Sequence, residues 1–162
     1  MIPIDMARDA KAWIVLYDRD CRFCRWSLAQ LLALDRAGRL RPLPLGTEEA
    51  DRLLAELTQE EREASWHLVS PDGARWSAGA AAPPLLRLLP RGRLPAELLE
   101  RAPRLTERAY RWVADHRSAF SSLIPEGARR RADVRIARAE AARATTSAPT
   151  QAASIAGSLS SR

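Results

Sequence analysis

Cys21 and Cys24 are the only cysteines in a chain of 162 residues, and they stand three apart in the stretch YDRDCRFCRW, residues 17 to 26. Such a pair is open to three fates. It can carry out thiol–disulfide exchange, in which a thiolate attacks a disulfide and a second thiol close by resolves the mixed intermediate. It can form half of a metal site, or it can be two small side chains buried together. A closed zinc site takes four ligands, and the chain offers only His67 and His116 besides, so metal binding ranks below exchange. Both histidines read as hydrogen-bonded structural residues, because nothing in the sequence places either near Cys21.

The elements around the pair favour exchange. AWIVLYD, residues 12 to 18, is a continuous apolar run, rich in β-branched and aromatic residues and too short for a buried helix, which predicts a central strand at 13–17. After Cys21 the period changes: Phe23, Leu31 and Leu34, with Trp26 and Leu28 nearby, predict a helix of about four turns ending at Gly38. The cysteines therefore fall where a strand passes into the first turn of a helix. Unpaired backbone N–H groups and the positive end of the helix dipole hold the N-terminal sulfur as a thiolate below the usual thiol range. Cys21 is then the nucleophile and Cys24, one turn in, the resolver. Arg19, Arg22 and Arg25 favour the thiolate, whereas Asp18 and Asp20 oppose it if they lie close. Asp20 is also a candidate N-cap, and either Asp18 or Asp20, partly buried, is a candidate acceptor for the proton of Cys24 during resolution.

The rest of the chain supplies a scaffold. RLRPLPL, residues 39 to 45, predicts a short strand whose two prolines push it towards an edge. Thr47 to Leu57 reads as helical, and Thr58 with Glu61 forms a possible capping box. WHLVSPDGARWS, residues 66 to 77, is a β-hairpin turning on Pro71 and Gly73. A helix follows in AAAPPLLRLLP, with its prolines in the first turns, and Pro90, Gly92 and Pro95 then predict a loop. From Pro103 to Ile124 the positions Leu105, Ala109, Trp112, Val113, His116, Phe120 and Leu123 recur at three and four, which predicts one long amphipathic helix packing that stripe against the domain. A βαβ unit followed by a hairpin and covering helices is the layout of a thioredoxin-like α/β domain.

The same residues resemble a known family. VLYDRDCRFCRW, the SPDG hairpin and SAGAAAPPLLRLLP look like the DCC family of predicted thiol-disulfide oxidoreductases (DUF393), named for its Asp-Cys-x-x-Cys motif. Asp20, Cys21 and Cys24 match that motif, with Tyr17 and Asp18 as the preceding Tyr-Asp, over about Trp13 to Leu123. The resemblance implies a thioredoxin-like fold and a redox-active CxxC disulfide. The family usually carries Gly where Arg19 stands and often Pro where Arg22 stands, so this site is more cationic. Ser65 and Trp66 offer no counterpart of the substrate-holding proline of thioredoxins proper.

Composition bounds what remains. Twenty-six basic against twenty acidic residues give a net charge of +6, and four of those charges fall between Pro125 and Arg162. That segment has almost no large apolar residues, which predicts a frayed basic helix near 129–143 and disorder from Thr145. The expected division is a thioredoxin-like domain over 10–124 and a basic, low-complexity tail over 125–162. The basic stretch lacks the interleaved aromatics of a nucleic-acid stacking surface, so nucleic acid is disfavoured as a partner. The amphipathic helix could instead lie on a membrane surface, but core packing is the preferred reading. With no apolar segment long enough for a signal peptide or a membrane span, the chain is expected to be cytoplasmic. The function expected is that of a thiol-disulfide oxidoreductase acting on a protein or small-molecule thiol or disulfide, with no cofactor. The alternative is a non-catalytic binding module acting through its C-terminal helix or basic tail.

Overall fold

The computed structural model describes residues 12–146; the expected domain start at residue 10 and the expected disorder beyond 146 lie outside them. Four strands form one sheet in the order β2-β1-β3-β4. Strand β1 (Trp13–Tyr17) pairs in parallel with β2 (Leu40–Pro44) and antiparallel with β3 (His67–Val69), and β3 pairs antiparallel with β4 (Arg75–Ser77). The apolar run of β1 is explained by burial on both faces. Val15 and Tyr17 join one core, and Leu16, flanked by Ile14, joins the other. Strand β2 is the edge that Pro42 and Pro44 require, since proline gives no N–H to a ladder.

Eight α-helices complete the described residues: α1 (Arg22–Leu34), α2 (Glu48–Leu53), α3 (Gln59–Ala64), α4 (Ala82–Leu88), α5 (Arg93–Arg101), α6 (Pro103–Asp115), α7 (Arg117–Leu123) and α8 (Glu126–Thr146). The parallel βαβ unit, the hairpin and the helical cover make a mixed α/β domain of thioredoxin-like type. Local signals hold where they are strong. Thr58 and Glu61 close a capping box on α3, and Gly73, at φ +88°, turns the hairpin.

Four expectations are corrected. Helix α1 ends at Leu34 rather than Gly38, because the Asp35 carboxylate leaves the helix to accept the Leu40 N–H at 2.6 Å and start β2. Pro95 stands not in a loop but in the first turn of α5, where its missing N–H has no partner to lose. The single helix expected from Pro103 to Ile124 is two, broken at His116, whose backbone leaves helical geometry and whose Nδ1 meets the Trp112 carbonyl at 2.7 Å. Most consequentially, the segment expected to fray as a basic tail is α8, and it packs on α1. Ala132 and Ile136, each 2% exposed, share a core with Leu28 and Ala29. Two apolar residues suffice because alanines on both helices let the backbones approach closely. Arg135 adds a hydrogen bond to the Ala29 carbonyl at 3.3 Å.

The 3₁₀ turn at Ala78–Ala81 sets the position of α6. Gly79 lies so near that a Cβ there would sit 2.8 Å from the Glu107 Cα, and its N–H donates to Glu107 Oε2 at 3.1 Å. Helix α6 is thereby held over the sheet end from which the cysteines emerge.

Candidate active site

Strand β1 ends at Tyr17 and delivers the chain to Asp18, whose Oδ1 accepts the Asp20 N–H at 2.8 Å. That tight turn sets Cys21 at the N-cap of α1, in extended geometry at φ −79° and ψ 104°. Cys24 lies three residues in, and the two sulfurs are joined in a disulfide with Cα atoms 5.2 Å apart. The Cys24 N–H donates to Cys21 Sγ at 3.2 Å. The cap itself is therefore sulfur and not Asp20, the expected N-cap: the turn held by Asp18 leaves Asp20 one residue short of the helix.

The first-turn amides divide between two acceptors. Besides the Cys24 N–H on sulfur, the Phe23 N–H donates to Ser121 Oγ at 3.2 Å, and that hydroxyl gives its own proton to the Arg117 carbonyl at 2.8 Å. Ser121 lies 98 positions from Phe23, so no local pattern could have marked it.

Two hollows flank the pair, and they differ in chemistry. One, of about 320 Å³, is bounded by Cys24 and Asp18 on one side and by α6 on the other, and its walls include Phe23, Leu31, Trp66 and Val113. Tyr110 and Arg117 supply polar groups from α6 and the head of α7. Burial pushes the Tyr110 phenol up, so it stands in this cleft as a neutral hydroxyl, and it receives the Trp66 N–H at 3.3 Å. Ser65 and Trp66 also line the cleft. The other hollow, of about 300 Å³, is cationic: Arg19, Arg22, Arg25 and Arg129 surround Asp20 and Asp133. Arg25 is drawn to Asp133 of α8 at 2.7 Å. The two candidate carboxylates thus face different hollows, Asp18 the cleft that Cys24 also lines and Asp20 the arginines.

The histidines stand elsewhere. His67 is fully buried between the Ser77 hydroxyl, 2.7 Å from Nδ1, and the Arg62 carbonyl, 3.0 Å from Nε2. Burial lowers its pKa, so the ring is neutral, donating to the carbonyl through Nε2 and accepting from Ser77. Among the described residues, no cluster of three or more histidine, cysteine or acidic side chains is placed to hold a metal ion.

The sequence reading also missed Glu140. Tyr17, buried at the end of β1, donates its hydroxyl proton to Glu140 Oε1 of α8 at 2.9 Å. Burial first and Glu140 second push the Tyr17 phenol up to about 12, with Arg19 pulling the other way.

Among known proteins, the family described as DCC1-like thiol-disulfide oxidoreductase matches residues 15–123. No curated protein and no solved structure matches the chain. The matched span runs from the core of β1 through the cysteine pair to the end of α7 and covers well over half of the sequence, so the chain belongs to the DCC1-like thiol-disulfide oxidoreductase family.

Proposed function

We propose that the protein exchanges thiols and disulfides through Cys21 and Cys24, with Cys21 as the attacking thiolate. The carrying observation is that Cys21 caps α1 and its sulfur already receives the Cys24 N–H at 3.2 Å. That bond and the helix dipole stabilise negative charge on this sulfur once the pair is reduced. In the reducing direction the Cys21 thiolate attacks one sulfur of a substrate disulfide, forming a mixed disulfide and expelling a substrate thiolate. Cys24 then loses its proton and attacks Cys21 Sγ. The internal disulfide is restored and the second substrate thiolate leaves, so the substrate gains the two electrons that the cysteine pair gives up. Run backwards from the disulfide form, the same steps oxidise a substrate dithiol.

Asp18 is the better placed base for the Cys24 proton, since both line the apolar cleft, whereas Asp20 lies in the other hollow among arginines. Asp20 then acts on the charge balance around Cys21 rather than on proton transfer. The cleft beside Cys24 accommodates the substrate group next to the sulfur under attack, a protein or small-molecule thiol or disulfide.

Alkylation of the reduced protein as a function of pH tests this reading. Cys21 is expected to react at full rate at a pH below that of an ordinary thiol, Cys21→Ser to abolish exchange with a small aromatic disulfide, and Cys24→Ser to accumulate the mixed disulfide. A Cys21 that titrates like a free thiol, or a Cys24→Ser protein that forms no adduct, would count against it.

A further inference from the structure

Of the apolar stripe of α6 and α7 that the sequence assigns to packing, only Val113 and Phe120 are partly covered, and the other positions are exposed. Leu105 is 66%, Trp112 56% and Leu123 75% exposed, while the opposite side of α6, with Tyr110, Val113 and Ala114, closes the cleft. Burying one large apolar side chain stabilises by roughly 1.5–3 kcal/mol, so a row of them left in water is unusual for a surface without a partner. The row is organised. Trp112 stacks on His116 with ring centroids 4.7 Å apart and meets Phe120 edge-on at 5.9 Å. Phe120 in turn reaches Phe23, between the two cysteines, at 5.4 Å. On the preceding helix, Leu94 and Leu98 of α5 are 74% and 64% exposed.

The charge along this segment is net positive. From Arg101 to Arg117 five arginines stand against Glu107 and Asp115. Arg104 and Arg108 are exposed, and Arg111 is paired to Glu107 at 3.0 Å. The hollow on this face is lined by Pro103 and four charged side chains, and the apolar residues stand out of it. A protruding row of Leu and Trp flanked by arginines is the pattern of a helix that lies in a lipid interface, with tryptophan at the headgroup level and arginines on the phosphates. Among the described residues no helix is long and apolar enough to cross a membrane, which suits a helix lying in the plane of the surface.

We propose that the α6–α7 ridge docks this protein on an anionic lipid bilayer, with Leu105, Trp112 and Leu123 in the acyl boundary and Arg104 and Arg108 on lipid phosphates. The helix that touches lipid closes the cleft with its opposite side, so docking holds the cleft that Cys24 lines about one helix diameter, roughly 10 Å, from the membrane surface.

Co-sedimentation of the full chain tests the docking, and exchange activity is not read, so it fails or stands apart from the redox reading. The probes are vesicles of phosphatidylcholine alone and with roughly a third phosphatidylglycerol. The protein is expected to pellet with the anionic vesicles, weakly with the neutral ones, and less as salt rises. Arg104→Gln with Arg108→Gln should lower the partition about 25-fold, at roughly fivefold per arginine. Leu105→Ser with Trp112→Ser should lower it at least tenfold and remove the lipid-induced blue shift of tryptophan emission, with thermal unfolding showing that both variants fold. No binding to anionic vesicles, equal binding to neutral ones, or binding indifferent to the Leu105 and Trp112 changes would overturn the proposal. So would a lipid-free dimer that buries Trp112.

Discussion

Tyr17 and Glu140, 123 positions apart, meet in a 2.9 Å hydrogen bond that ties the last residue of β1, four before the N-terminal cysteine, to a helix beyond the family span. The residue that begins the cysteine loop is thus held at its hydroxyl by α8. The phenol is protonated in the folded protein up to about 12, whereas in the unfolded chain it ionises near 10. Between those values the folded state binds more protons, so stability is full below about pH 10 and falls as the pH rises towards 12. Tyr17→Phe is expected to cost about 1–2 kcal/mol at neutral pH through the lost bond. It should also flatten the fall between pH 10 and 12, as followed by denaturant unfolding across that range.

Helix α8 offers a sharper test of its own packing. Ile136 is 2% exposed in the core shared with Leu28, so Ile136→Ala should destabilise by roughly 2–5 kcal/mol. A helix frayed from the domain would register the same change at under about 0.5 kcal/mol. Urea midpoints with an unchanged slope separate the two.

Asp18 and Asp20 carry distinct predictions because they occupy distinct hollows. Asp18→Asn keeps an oxygen to accept the Asp20 N–H, so the turn should survive while the base is lost. Mixed-disulfide formation by Cys21 is expected to proceed at near its normal rate, and closure by Cys24 to slow by on the order of a hundredfold. Stopped-flow release of the first and second substrate thiols distinguishes the two steps. Equal slowing of both would remove Asp18 from the proton path.

The features legible in the sequence share a short range. Strand β1, the hairpin at Gly73, the Thr58 capping box and the placing of Cys21 and Cys24 at a strand-to-helix junction each depend on residues within a few positions of one another. Backbone geometry and local hydrogen bonds act at that range, and the amino-acid types suffice to read them. The family motif belongs here too, since its Asp-Cys-x-x-Cys is a contiguous stretch.

What only the tertiary structure decided is which surface covers which. Periodicity marks the row through Leu105 and Trp112 as apolar, but it carries no information about a neighbour that would bury it, and in the fold that row stays exposed while Tyr110, Val113 and Ala114 of the same helix turn to the cleft. Composition marks residues after 125 as poor in large side chains, yet a helix whose alanines meet alanines needs only Ile136 to reach the core. Ser121 on the Phe23 amide, Asp133 on Arg25 and Glu140 on Tyr17 join residues about a hundred or more positions apart. Such contacts arise when separate elements pack, and packing is a property of the assembled surfaces rather than of any segment that contributes to them.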